Sequence, residues 1–207
     1  MNEITAITPQ IKDKTRCNIY IDGRFCCGLS LETTIKNRLK VGQTVAPERL
    51  AEIQLDSEKT AAFDKALTHL SATRKTEKQI REFLSSKGYL SAVIEYVVDK
   101  LRSYAFLDDG AYAEAYVEQA AKRKGARLIR MELKNKGICE SEIDGALDML
   151  DSETELRTAV GILEKYTRGK STDGETRQKA YRYLIGKGYD YDTAKAALNA
   201  FYGDDEE

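Results

Sequence analysis

Three stretches decide the fold: IREFLSSKGYLSAVIEYVVDKL (80–101), IRMELKNKGICESEIDGALDML (129–150) and AYRYLIGKGYDYDTAKAALNAF (180–201). Each holds Lys-Gly at the same place, with Gly88, Gly137 and Gly188 at spacings of 49 and 51 residues. Leucine stands four residues before each glycine (Leu84, Leu133, Leu184), and Leu101, Leu150 or Phe201 thirteen after. A glycine there suits the C′ position of a helix, where the chain turns left-handed and a Cβ is costly. The residue after it (Tyr89, Ile138 or Tyr189) then pairs with the leucine three positions inside the helix end. The glycines therefore read as helix terminators. A phosphate-cradling loop would place them after a strand and before a helix.

A third helix precedes each pair: AAFDKALTHLSA, DDGAYAEAYVEQAAKR and SETELRTAVGILEKYT. The pattern predicts three tandem three-helix repeats packed in series as an elongated, curved array. Residues 1–30 differ. In TRCNIYIDGRFCCGLS, Asp22-Gly23 between alternating runs signals a hairpin, with Cys17, Ile19 and Ile21 on one face, followed by Phe25, Cys27 and Leu29. ITAITPQI supplies a further strand, which Pro9 confines to an edge. The expected cover is a helix in SLETTIKNRL carrying Leu31, Ile35 and Leu39 on one stripe and ending at Gly42, after which Pro47 opens VAPERLAEIQL. The fold class is mainly α with a small N-terminal β region. The expected segments are 1–56 (β-rich extension), 57–107, 108–151 and 152–207 (repeats, the last with an acidic tail).

Composition narrows function. The 207 residues balance 33 Lys and Arg against 34 Asp and Glu, for a net charge of −1. A dedicated duplex binder shows a basic excess over the whole domain, so any nucleic-acid contact here is local. No apolar run reaches the roughly 18 residues of a membrane span or makes a signal peptide, which points to the cytoplasm. Cys17, Cys26, Cys27 and Cys139 form no CxxC spacing and His69 is the sole histidine, so no metal or cofactor is expected. No nucleophile has a positioned partner in sequence, so no enzyme is expected. In FLDDGAYA, Asp108 or Asp109 reads as a helix N-cap, and the terminal DDEE as a solubilising tail. Tyr89, Tyr96, Tyr104, Phe106, Tyr112, Tyr116, Tyr181 and Tyr183 fall mostly on helical stripes and read as core packing.

The local charge lies in KRKGARLIRMELKNKG (122–137), with seven Lys or Arg against one Glu. On a helix, Ile129 and Leu133 form the core face, while Arg127, Arg130 and Lys134 lie within about 60° of each other on another. Lys122, Arg123 and Lys124 stand just upstream. The first repeat offers Arg74, Lys75, Lys78 and Arg81 at the matching place. In the third, Arg177, Lys179 and Arg182 are diluted by Asp173 and Glu175. Clustered like charges cost free energy unless an anion answers them, so these ten residues of the first two repeats are the candidate anion-facing surface. Charge alone leaves open a phosphate chain, an acidic protein surface or plain solvation.

With FLDDGAYAEAYVEQ, three L-x-x-K-G segments, the closing YRYLIGKGYDYDTAKAAL and NIYIDGRF in order, the chain resembles the RecX regulatory proteins, modulators of the RecA recombinase. One departure is Gly125-Ala126, where the family often has Gly-Pro. The resemblance implies a non-catalytic protein that lodges in the groove of the RecA–DNA filament; a monomer is expected. There it would oppose filament growth and reduce ATP hydrolysis, strand exchange and SOS co-protease activity in DNA repair. Weak contact with single- or double-stranded DNA is also implied for some members. The alternative is a direct DNA-binding protein built of helix-turn-helix-like repeats.

Overall fold

The computed structural model describes residues 2–11 and 13–203, so the acidic run 204–207 lies outside the described residues. The chain divides into two compact units, Met1–Arg74 with Ile80–Leu107, and Lys75–Gln79 with Asp108–Glu207.

The first unit opens with three antiparallel strands, β1 (Ile4–Pro9), β2 (Arg16–Ile21) and β3 (Arg24–Ser30), in the order β1-β2-β3. Asp22 and Gly23 both have positive φ (47° and 81°), the two-residue turn whose twist matches the flanking strands. Pro9 ends the edge strand β1, where its missing N–H costs nothing. One residue departs from the expected alternation. The register passes from Ile19↔Cys27 to Tyr20↔Phe25, so Cys26 is extra. That bulge turns Phe25 off the core face. It is 61% exposed and meets Tyr20 edge-on.

The expected cover for the sheet is corrected. Helix α1 spans only Leu31–Lys36 and buries Thr33 and Thr34, while Ile35 is 74% exposed. Ser30 caps the helix by accepting from Thr33 N–H, and the Thr34 hydroxyl bonds back to Ser30 C=O (2.9 Å). Arg38, at φ 51°, then breaks the helix before Gly42 is reached. The sheet instead packs Ile4, Cys17, Ile19, Cys27 and Leu29 against Leu39, Val45, Leu50 and Ile53. The last two sit on α2 (Pro47–Ala72), one continuous helix of 26 residues where the sequence reading has two. No Gly or Pro interrupts it after Pro47, so nothing ends the hydrogen-bond ladder. Mid-helix, the buried Ser57 hydroxyl accepts from Ser30 N–H on the strand end. The second half of α2 packs Ala62 and Ala66 with Ile80 and Leu84 of α3 (Glu77–Ser86) and Val93, Val97 and Leu101 of α4 (Ser91–Ser103).

The second unit holds α5 (Asp109–Ala120), α6 (Ala126–Asn135) and α7 (Glu140–Leu147), then α8 (Ser152–Thr167), α9 (Gly174–Gly186) and α10 (Tyr191–Tyr202). Each triplet has its own core. One centres on Val117, Ile129, Leu133 and Ile143, the other on Leu163, Leu184, Tyr189 and Leu198. Asp108 caps α5 by accepting from Ala111 N–H (2.8 Å).

The three glycine turns are the same object. Gly88, Gly137 and Gly188 have φ of 84°, 88° and 91°. The next residue donates back to the leucine carbonyl each time: Tyr89 to Leu84 (3.3 Å), Ile138 to Leu133 (3.2 Å) and Tyr189 to Leu184 (3.2 Å). The glycine N–H takes the carbonyl three residues earlier, which completes the Schellman arrangement.

Within the second unit these turns also join one repeat to the next. The first N–H groups of α6 have no partners in their own helix, and neither do the last carbonyls of α9. They satisfy each other: Gly125 N–H donates to Lys187 C=O and Arg127 N–H to Gly188 C=O, both 3.0 Å. Between them, Ala126 N–H donates to the Glu155 carboxylate of α8 (3.1 Å). The residues 49 positions earlier repeat the pattern with side chains. Thr76 Oγ1 donates to Lys136 C=O (2.8 Å), and Glu77 N–H donates to Asp109 of α5 (2.9 Å). The departure at Ala126 thus has a use, since proline has no N–H to offer Glu155.

Candidate functional site

The ten candidate cations divide by what they touch. Arg74 and Arg81 belong to the first unit, the other eight to the second. Arg81 makes a two-pronged pair with Glu95 (2.5 and 2.9 Å). Lys124 lies 2.5 Å from Glu132, whose other oxygen accepts from the Tyr116 hydroxyl. Arg130 reaches both Glu140 (2.7 Å) and Asp144 (2.6 Å), and Lys134 approaches Glu140 (3.4 Å). Lys78 Nζ donates to Asn135 C=O (3.0 Å). Lys75 is half-buried. Much of the stripe therefore meets carboxylates brought in by the next helix, which sequence spacing does not reveal.

The remainder stays open. Arg74, Lys122, Arg123 and Arg127 are exposed and have no carboxylate within ion-pair distance among the described residues. Arg127 stands 5.5 Å from the Tyr191 ring centre. Lys122 and Arg123 line a cleft with Lys165 and Tyr166 of α8 and with Tyr183 and Lys187 at the end of α9. Sequence reading does not select Lys165 or Lys187. One signal was available: Lys187 is the lysine of a Lys-Gly turn, and such a turn closes a helix against its neighbour. Tyr104 and Phe106 are exposed (56% and 55%) rather than core, with Tyr104 packed edge-on to Phe63.

The pairs set an acid response. Hydrogen bonds from Arg130 and the charge of Lys134 hold Glu140 below its ordinary 4.5, and Asp144 and Glu140 push Arg130 up. Burial raises Glu132, but hydrogen bonds from Lys124 and Tyr116 outweigh it and the net shift is downward. A carboxylate lowered on folding adds stability above its unfolded value and loses it as pH falls through the folded one. The melting temperature is therefore expected to decline as pH drops below 4.5. Arg130→Gln should shrink that decline while changing the pH 7 melt little, because exposed pairs contribute little. Thermal melts of both proteins across pH 3–7 check this.

Family models for RecX match in chain order: the regulatory protein RecX N-terminal domain over residues 2–46, and the first, second and third RecX three-helix domains over 62–101, 108–147 and 153–198. The chain belongs to the RecX family. Among curated relatives named regulatory protein RecX, that of Clostridium tetani is 36% identical over 203 residues, covering 96% of this chain and 94% of its own. That of Clostridioides difficile is 35% identical over 210 residues, covering 100% and 99%. A crystal structure of regulatory protein RecX superposes with a TM-score of 0.69 at 28% identity over 98% of both chains. RecX from Lactobacillus salivarius gives 0.66 at 25% identity over 70% of this chain and 96% of that one. This RecX chain thus has the family's N-terminal sheet and all three helical domains. Among the described residues, no helix is long and apolar enough to cross a membrane.

Proposed function

We propose that this protein binds the RecA–DNA filament and restrains RecA, lowering ATP hydrolysis, strand exchange and co-protease action in the SOS response. The observation that carries the reading is the ordered match of all four RecX domains over the chain. The open cations support it, since a filament offers both acidic protein surface and phosphate. In this reading the protein acts as a cytoplasmic monomer without cofactor or catalysis, and segments 1–56, 57–107, 108–151 and 152–207 are its working parts.

The test uses preformed RecA–single-strand filaments. The protein should lower their ATPase rate, and Arg74→Glu/Arg127→Glu should require about tenfold more protein for the same effect, or about 1.4 kcal/mol of binding. Among the described residues neither arginine holds a carboxylate, so the variant should melt like the parent. A wild-type protein that leaves the ATPase untouched overturns the reading, and undiminished inhibition by the folded variant removes these two arginines from it.

A further inference from the structure

We propose that the cleft formed by Lys122, Arg123, Lys165, Tyr166, Tyr183 and Lys187 binds the phosphates of a single DNA strand without reading its bases. The proposal deepens the filament reading, on which it rests only for naming DNA as the source of the phosphates.

Charge comes first. Among the described residues, four cations and no carboxylate line the cleft. None of the four makes an internal ion pair among the described residues, and Lys122 has only a long contact to Gln119 (3.5 Å). At Arg81, Lys124 and Arg130, by contrast, a neighbouring acid answers the basic residue. Four unanswered cations around one depression repel each other and invite a multiply charged anion. Arg123 adds a planar fork suited to two oxygens of one phosphate.

The walls then say which anion. Tyr166 and Tyr183 are stacked on each other, with centroids 4.2 Å apart and planes 16° from parallel. Each ring thus has one face covered by the other. Lys170 Nζ sits 3.4 Å from the Tyr166 centre, so it must cover that ring's outer face, and Lys187 Nζ stands 5.2 Å from the Tyr183 centre. A nucleobase would have to displace Lys170 to stack on Tyr166, and would meet Lys187 beside Tyr183. Proteins that grip bases of single strands use open aromatic platforms, and sites for free nucleotides enclose much of the ligand. This cleft does neither. It suits a backbone that passes through and keeps its bases outside.

The backbone junction fixes the cleft's geometry. Lys122 and Arg123 lead into Gly125, whose N–H is bonded to Lys187 C=O (3.0 Å), so the two sides of the cleft are hydrogen-bonded together.

The experiment titrates a fluorescein-labelled oligo-dT with full-length protein over a salt series, beside Arg123→Gln/Lys165→Gln. Both residues are exposed, so folding should survive, and a thermal melt confirms it. Four contacts predict log K falling against log salt with a slope of about −2.8 on a single strand, and two contacts about −1.4 in the variant. Oligo-dT and oligo-dA should bind alike. ATP, tripolyphosphate and polyglutamate, each at matched charge, should displace the strand poorly. Absent binding at low salt, an unchanged slope in the variant, or strong base preference overturns the proposal. So does equal displacement by ATP or tripolyphosphate, which makes the cleft a nucleotide or free-phosphate site, or by polyglutamate, which makes it a site for an acidic protein. The two readings fail separately. A protein that binds oligo-dT but leaves RecA filaments unaffected sinks only the filament reading, and one that inhibits filaments without salt-dependent strand binding sinks only the cleft.

Discussion

Replacing Gly188 with alanine is expected to destabilise the second unit by about 2–5 kcal/mol, because two costs coincide. Its φ of 91° is a left-handed conformation that an L side chain resists. An added Cβ would also run into the Leu128 backbone N and Cα as well as its Cβ, on the first turn of α6. The backbone cannot give way there without breaking the bonds from Gly125 and Arg127 to the same turn. Two sister variants separate the costs. Gly88→Ala keeps the conformational strain (φ 84°) but meets nothing within 4 Å, so about 1–2 kcal/mol is expected. Gly125→Ala has ordinary φ (−81°), yet its Cβ would lie 2.5 Å from the Gly188 carbonyl, so the steric cost stands alone, at about 1–3 kcal/mol. Denaturant melts of the three should rank Gly188 worst. A Gly188→Ala protein melting like Gly88→Ala would remove the junction from the account.

Tyr189 carries the second large effect. It is fully buried at the centre of the third helical core, and Tyr189→Ala is expected to cost about 3–5 kcal/mol through the cavity left behind. Tyr189→Phe should do the reverse. The phenol oxygen is buried and has no hydrogen-bond partner among the described residues, and burial, with Glu155 nearby, pushes its pKa up to about 12. Removing an unsatisfied hydroxyl while keeping the ring should hold stability or raise it by up to about 1 kcal/mol. A Phe variant that loses stability would show that the hydroxyl has a partner, such as a buried water.

The parts of the fold legible in sequence are those set by local chemistry. Asp22-Gly23 reads as a hairpin because both residues accept positive φ. The three Lys-Gly turns read as helix ends because a glycine and two apolar partners at fixed spacing specify one cap. What escaped reading depends on residues far apart in the chain. The bulge at Cys26 is a matter of strand pairing, so alternation alone puts Phe25 on the core face and the structure does not. Ile35 looked like a core residue because helical periodicity cannot say that Arg38 stops the helix so soon. The candidate site shows the same division. The basic run was plain, but whether Arg130 faces solvent or Glu140 depends on α7. Likewise, Lys165 and Lys187 join Arg123 only because α8 and α9 pack beside it.

Helix α2 has a mechanical consequence. At about 1.5 Å per residue, its 26 residues form a beam of roughly 39 Å. Leu50 and Ile53 anchor one end in the sheet, while Ala62 and Ala66 anchor the other in the first helical bundle. A girder built into two walls has no hinge. Force applied to the sheet is carried as torque into that bundle, and the extension acts as a rigid handle.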